Sequence, residues 1–522
     1  MGSDQVIVAV FGDGATEEGV YHESLNFAAL HDLPVIFICE NNGLAVHTKI
    51  EARQSYDLGE HAAGYGLAVT RTPEGWDFGC IDESFSAIVD EVRQSRRPQF
   101  VEIATYRYKE HVGPGEDFDA GYRSRDDFEA WLARDPLHQD QALVERFRPL
   151  ITAEIDDAVA FAEAAPFPTA EDLLSEVVPP PAAAVPNREG TGIATYREAL
   201  QGFMHDALAE RADTVVLGQG VADHKAIFDT TTGLAEKFGS QRVIDTPLAE
   251  DSTTGICVGA ALNGLYPIQT HIRVDFTLLA MNQLVNHAAK YRYMYGGNFT
   301  LPMLVRTVIG RGWGQGAQHS QSLQAMFAHV PGLLVIMPAS VEAVRNGYRQ
   351  ALEAYPGPVI SLEHRLLYDL SFDPADQPEA LTSDPFGARL VRRGGDVTVV
   401  ATSPWWRPRS WWSKPSGPPN TSRRTPASNA RSSTSTVSPT STSRRSPPAW
   451  SEPAGWWWPT PAGWPMASRP RFAAWFAKPA LNCCELRPSV WVWRQPPAPP
   501  PRTWRTCSTP TWGNSSTPWQ GW

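Results

Sequence analysis

Apolar residues run in short clusters of strand length through the first part of the chain: QVIVAVF (5–11), PVIFIC (34–39) and QFVEIAT (99–105). Between them apolar positions recur at helical spacing, in EEGVYHESLNFAALH (17–31) and FSAIVDEVRQ (85–94). The same alternation returns later. TVVLGQG (214–220), PIQTHI (267–272), PMLVRTVI (302–309), LLVIMP (333–338) and PVISLE (358–363) read as strands. STTGICVGAALNG (252–264) and SVEAVRNGYRQALEA (340–354) read as helices among them. Apolar runs without polar alternation suit strands buried on both faces. Strands alternating with helices predict an α/β chain with two parallel-sheet domains.

The segment AAPFPTAEDLLSEVVPPPAAAVPNREGTG (164–192) separates the two stretches. Its prolines, alanines and polar residues hold no packed element for long, so it reads as a linker. The expected order is a domain over 1–163, a linker over 164–192 and a second domain over 193–375. The start of a third follows over 376–402, and then a tail.

Composition separates that tail from the rest. The chain has 522 residues and a formal charge of −12. Residues 403–522 hold 16 of its 19 tryptophans and 23 of its 45 prolines. They carry 15 Lys and Arg against two acids, Glu452 and Glu485, and so +13; residues 1–402 carry −25. Prolines at this density break helices and central strands. A disordered basic tail is one reading, but disordered tails are poor in tryptophan. A shifted reading frame fits better. Tryptophan has the single codon TGG. Read from each codon's third base, WWWP (456–459) becomes Val-Val-Ala, and PWWR (404–407) becomes Leu, Met or Val, then Val-Ala. A frameshift near residue 404 is therefore expected, with a low-order tail rich in Trp, Pro and Arg. On that reading its basic residues carry no message about nucleic acid, and the acidic remainder argues against a nucleic-acid partner. No apolar run reaches the roughly 18 residues that a membrane span needs. MGSDQ has no signal-peptide character. The six cysteines are scattered without metal-ligand spacing, which suits a reducing cytoplasm.

Chemistry enters at VAVFGDGATEEG (8–19), where Asp13 stands between Gly12 and Gly14 just past a strand and before a helix. Ligands of open α/β sheets sit beyond the carboxyl ends of strands. Glycines permit close backbone approach, and a helix start favours a phosphate. A carboxylate beside an anionic ligand needs a cation between them, and Mg²⁺ is the usual one. A plain βα turn capped by Asp13 is the alternative for this tripeptide. ENNGLAVHT (40–48) follows the next strand. Parallel neighbours would bring Asn41 and Asn42 beside Asp13 at one sheet edge, where an amide oxygen can serve Mg²⁺.

Gly-Asp-Gly followed by Asn-Asn resembles the cofactor motif of the thiamine diphosphate enzymes. The resemblance implies that Asp13, Asn42 and the Leu44 carbonyl hold Mg²⁺, and that Gly12 and Gly14 let the loop meet the diphosphate. TYRYKEHVGPGEDFDAGYR (105–123) resembles the loop after the third strand in the α subunit of the 2-oxoacid dehydrogenase first component, E1. There His111 matches a histidine at the diphosphate and active site; otherwise it is a surface residue. Residues 193–370 resemble the E1 β subunit. DTPLAEDSTTGICVGAALNGLYPI (245–268) places Glu250 before a helix. By resemblance Glu250 bonds the aminopyrimidine ring and promotes ylid formation; read alone, it is a helix cap. Phe276 in RVDFTLLAMNQ (273–283) matches the residue stacked on that ring, or is simply core. His319 in GRGWGQGAQHSQS (310–322) matches a histidine that serves substrate binding or acyl transfer, unless the loop is a plain turn.

The resemblance implies a fused α–β E1 with thiamine diphosphate and Mg²⁺, a 2-oxoacid substrate and a lipoyl-bearing E2 acyltransferase as partner. It also implies a homo-oligomer, a dimer first, in the cytoplasm with no nucleic acid or membrane partner. VGPGEDFDAG replaces the family's serine-rich continuation, which leaves the choice of 2-oxoacid open. Eleven residues precede Gly12, whereas the family's domain starts far upstream. Its front, with a Tyr-Arg type diphosphate contact, is expected to be missing, and weak cofactor binding with it. A transketolase-like or deoxyxylulose-phosphate-synthase-like enzyme is the alternative within the same cofactor class. A non-catalytic remnant is the alternative outside it.

Overall fold

The structure is a computed structural model. It describes residues 4–169, 184–187 and 192–394, apart from 224, 312–314, 375–378, 382–385 and 391–392. The expected tail and frameshift beyond 403 lie outside the described residues, as do most of the linker and much of 376–402.

The first sheet has four parallel strands in the order β1-β2-β6-β5. They are β1 (Ile7–Gly12), β2 (Val35–Asn41), β5 (Ala68–Thr72) and β6 (Gln99–Ala104), and the hairpin of β3 (Leu44–Ala45) and β4 (Thr48–Lys49) follows β2. The helices are α1 (Gly19–Leu30), α2 (Leu58–Gly64), α3 (Phe78–Ser95), α4 (Arg125–Leu132), α5 (Pro136–Gln139) and α6 (Gln141–Ala164). Strand β2 shows why its sequence reads as continuously apolar. Phe37 and Cys39 pack with Tyr21, Leu25, Leu58 and Phe100 on one face. Ile36 and Ile38 pack with Ile88, Val92 and Val101 on the other. Both faces are covered by helices, as parallel sheets require. Strand β5 was not expected; its run AVTRT is short and half polar.

The second sheet has six parallel strands in the order β12-β13-β11-β10-β8-β9. They are β8 (Thr214–Gly218), β9 (Val243–Asp245), β10 (Tyr266–His271), β11 (Met303–Ile309), β12 (Leu334–Ile336) and β13 (Pro358–His364). A short pair, β7 (Ala194–Thr195) and β14 (Ser371–Phe372), runs antiparallel beside it. Helices α7 (Tyr196–Glu210) and α9 (Val341–Glu353) share one core with the sheet; α8 (Glu250–Leu262) shares the other. A capping box starts α7: Thr195 and Glu198 each accept the other's backbone N–H, which satisfies donors a helix start leaves open.

Inside this sheet lies an ion pair. Arg306 donates to both Glu363 carboxylate oxygens, at 2.7 and 3.0 Å, and both side chains are buried. Tyr348 and Tyr368 each donate a hydroxyl to Glu363 at 2.5 Å. The network joins β11, β13, α9 and the turn after β13. Strand β10 ends at His271, whose buried imidazole is pushed down to about 4 by desolvation. Burial, with Arg311 and Arg273 nearby, likewise brings His364 to about 4.

Two outcomes follow from these buried groups. Glu363→Gln leaves Arg306 charged without a counter-ion, at a cost of about 3–5 kcal/mol. Urea unfolding of the variant should show it, and an unchanged midpoint would mean the pair contributes nothing. For His271, the unfolded imidazole takes up a proton near 6.5 and the folded one only near 4. Between those pH values the unfolded state binds more protons. Stability is therefore fully present above about pH 6.5 and falls as pH drops toward 4, by on the order of 3 kcal/mol for this group. His271→Phe should flatten the acid limb of a stability–pH profile; a limb of unchanged slope would contradict the assignment.

Candidate cofactor site

Parallel pairing of β1 with β2 sets Gly12 opposite Glu40. The chain then turns at Asp13 into a 3-10 segment, Asp13–Glu17, and at Asn42 toward the β3–β4 hairpin. The two turns meet. The Asn42 N–H donates to Asp13 Oδ1 at 3.3 Å, and Asn42 Oδ1 accepts the Leu44 N–H at 3.0 Å. Asp13 is completely buried. Burial pushes its carboxyl up, against the pull of Arg53 and the Asn42 N–H.

Arg53 was not foreseen. Its guanidinium pairs with Asp13 Oδ2 and with Glu17, and its Nε donates to the Thr48 carbonyl at 3.3 Å. Gln54 Nε2 donates to Thr16 Oγ1 at 2.6 Å. The segment after β4 thus closes over Asp13 and supplies the positive charge that a buried carboxylate needs. A Cβ on Gly14 would come within 3.0 Å of the Ala45 Cβ, whereas one on Gly12 would approach nothing closer than 4.0 Å. A side chain at 14 would press on Ala45, whereas one at 12 would meet no such neighbour.

His111 stands exposed. Its loop is nevertheless tied to the Asp13–Asn42 turn. The Thr105 N–H donates to the Asn41 carbonyl and Arg107 Nη1 to the Val46 carbonyl, both at 2.8 Å. Tyr122 packs on His47 with ring centroids 4.9 Å apart.

A second set gathers at the carboxyl ends of β8 and β10. Gly218, Thr246, Glu250, Gln269, His271 and Phe276 line one cleft. Glu250 opens α8. Phe276 lies in the short helical turn Val274–Thr277 and stands edge-on to His319, centroids 5.3 Å apart. It is half-buried at the cleft and belongs to neither core of the sheet. Gln321 donates to Asp275 at 2.7 Å and holds the His319 loop there. Gln269 Nε2 donates to Thr254 Oγ1 at 2.8 Å, while Gln269 Oε1 and His271 Nε2 are buried without a partner among the described residues. The only hint of His271 in the sequence is a histidine closing an apolar run.

The two sets are joined through helices. Helix α1 packs on α8, and Glu23 of α1 accepts the Ser252 N–H at 2.8 Å. Glu23 therefore caps the start of α8 from the other domain, which sequence reading did not anticipate. Burial first, and the Glu23 charge second, raise the Glu250 carboxyl above its ordinary value.

Among the described residues no cluster of three or more His, Cys, Asp or Glu could hold a metal. The expected set of one carboxylate, one amide oxygen and one carbonyl is not such a cluster. No helix among the described residues is long and apolar enough to cross a membrane.

Comparison with known proteins gives two family matches. Residues 1–171 match the dehydrogenase E1 component family, and residues 193–370 match the transketolase pyrimidine-binding domain. The pyruvate dehydrogenase E1 component subunit beta of Saccharomyces cerevisiae mitochondria is 38% identical over 229 residues, 43% of this chain and 62% of that protein. Its counterpart in Rickettsia felis is 40% identical over 210 residues, 40% of this chain and 63% of that protein. The chain thus spans less than two thirds of these relatives. A transketolase structure from Campylobacter jejuni superposes with a TM-score of 0.48 at 16% identity, covering 72% of this chain and 58% of that one; the fold rests on the sheets above. The chain is thus similar to the dehydrogenase E1 component family in residues 1–171 and to the transketolase pyrimidine-binding domain in residues 193–370.

Proposed function

We propose that the chain serves as the first component of a 2-oxoacid dehydrogenase. It would catalyse thiamine diphosphate-dependent oxidative decarboxylation, with acyl transfer to a lipoyl-bearing E2 partner. One observation carries the reading: a single chain bears both the Asp13–Asn42 turn and the Glu250–Phe276 cleft, with His319 edge-on to Phe276. Among 2-oxoacids, pyruvate is favoured by the names of the curated relatives. A transketolase-type reaction is the weaker reading, because residues 1–171 match the dehydrogenase family.

The residues fit the cofactor. Asp13 already faces a cation, the Arg53 guanidinium, so its buried environment accommodates positive charge. In this proposal Mg²⁺ is held by Asp13, the Asn42 amide oxygen and the Leu44 carbonyl, and Arg53 yields Oδ2. Gly12 and Gly14 keep the loop low for the diphosphate, and His111 reaches it from the neighbouring loop. Bound there, thiamine diphosphate would supply the nucleophile and electron sink that decarboxylation of a 2-oxoacid needs. Phe276 would offer a ring face and Glu250 a carboxyl group to the pyrimidine, whose protonation state that carboxyl would set. His319, edge-on to Phe276, faces the substrate and the arriving lipoyl group. The proposal includes a cytoplasmic homo-oligomer. Cys39, Cys80 and Cys257 are free thiols, which suits a reducing compartment.

Two variants test the roles. Asp13→Asn should weaken Mg²⁺-dependent thiamine diphosphate binding by at least about tenfold in calorimetry on the full chain; equal affinity would remove Asp13 from the metal site. Glu250→Gln should bind the cofactor within a few-fold of the parent yet exchange the cofactor's C2 proton about ten- to a hundredfold more slowly. Normal exchange by NMR in that variant would place proton activation elsewhere.

A further inference from the structure

Helix α6 is 24 residues long, and every one of its residues is exposed except the half-buried Val144. Among the described residues it joins none of the apolar cores. Isolated helices are marginal in water, and helices in proteins are held mainly by packing an apolar face. This helix has such a face. Leu143, Phe147, Ile151, Ile155 and Val159 follow one another at intervals of four, each 37–56% exposed. Residues four apart form a ridge on a helix surface. Pro149 lies two residues from Ile151, about 200° round the helix and away from the ridge.

The ridge is self-complementary. About Ile151 it reads the same in both directions: Phe147 and Ile155 lie about 40° to either side, and Leu143 and Val159 flank the contact at about 80°. About the same centre Arg146 faces Asp156 and Arg148 faces Glu154, while Glu145 faces Asp157. Before Ile151 the helix carries Arg146 and Arg148 with one acid, Glu145; after it come Glu154, Asp156, Asp157 and Glu163 with no base. A contact related by a two-fold axis presents the same patch twice. Only an antiparallel copy lays the basic half over the acidic half while ridge meets ridge; a parallel copy sets acid on acid.

We propose that α6 is a dimerisation surface, and that its occupant is α6 of a second copy of this chain, antiparallel and centred on Ile151. The ridges of both helices then interlock in the manner that favours a crossing near −50°. This inference is independent of the chemistry proposed above.

Sedimentation equilibrium of the full chain tests it. The parent should be a dimer. Ile151→Glu should weaken association by at least about tenfold, since a charge would replace the apolar centre. Circular dichroism would show that helix content is kept, because glutamate is a good helix former. The double variant Arg146→Glu/Arg148→Glu should also weaken the dimer, more at low salt. Adding Glu154→Arg and Asp156→Arg to it should restore association. A monomeric parent, a dimer indifferent to Ile151→Glu, or a fourfold charge variant that stays weak would each overturn the proposal. The first of these outcomes would leave the face to a different partner.

Discussion

Parallel strand pairing is the constraint from which the chemistry of this chain follows. Parallel neighbours must end on the same edge, so the turn after β1 and the turn after β2 have to meet. Six registered pairs, from Ile7 with Val35 to Gly12 with Glu40, deliver Asp13 and Asn42 to one point. The second sheet repeats the device. Strands β8 and β10 pair from Thr214–Tyr266 to Leu217–Gln269, and Gly218 and His271 follow at the cleft edge. Antiparallel pairing would send alternate turns to opposite ends and scatter both sets.

A second condition is that charge buried by these sheets must be answered locally. Asp13 is answered by Arg53, and Glu363 by Arg306 and two tyrosine hydroxyls. The two solutions differ in kind. Glu363 has both oxygens taken by groups fixed in strands and helices, so it is committed to structure. Asp13 has one oxygen on a backbone N–H and the other on a long side chain carried by a surface segment. Arg53 is itself held by Glu17 and the Thr48 carbonyl, so the Asp13 pair draws on one strand-to-helix connection, whereas the Glu363 network ties several elements together.

Much of this was legible in the sequence, for local reasons. β2 and β11 read as strands because both their faces are buried, and their apolar runs have no polar gaps. α1 and α8 read as helices from apolar spacing. The turn Gly12-Asp13-Gly14 and the doublet Asn41-Asn42 were visible as motifs, and their meeting followed from adjacency. β5 and β9 were missed because AVTRT and VID are too short or too polar to show a period. Arg53 was missed because its partner lies 40 residues away, and nothing local in EARQSYD marks it. Glu23 was missed for a stronger reason: it faces Ser252, 229 residues on and in the other domain. Contacts between domains leave no periodic trace in either segment.

Glu23 shows what such a contact does. Glu23 and Glu250 both lie at the start of α8, where exposed N–H groups favour negative charge. Glu23 takes the Ser252 N–H at 2.8 Å and is engaged by the helix as an acceptor. Glu250, half-buried and facing that negative neighbour, has its carboxyl raised above the ordinary range. Of the two carboxyl groups at this helix end, Glu23 caps a backbone N–H and Glu250 faces the cleft with its proton affinity raised, by burial first. The division depends on α1 remaining packed against α8. The proton affinity of a group in the second domain is thus set partly by a residue of the first, through the packing of α1 on α8.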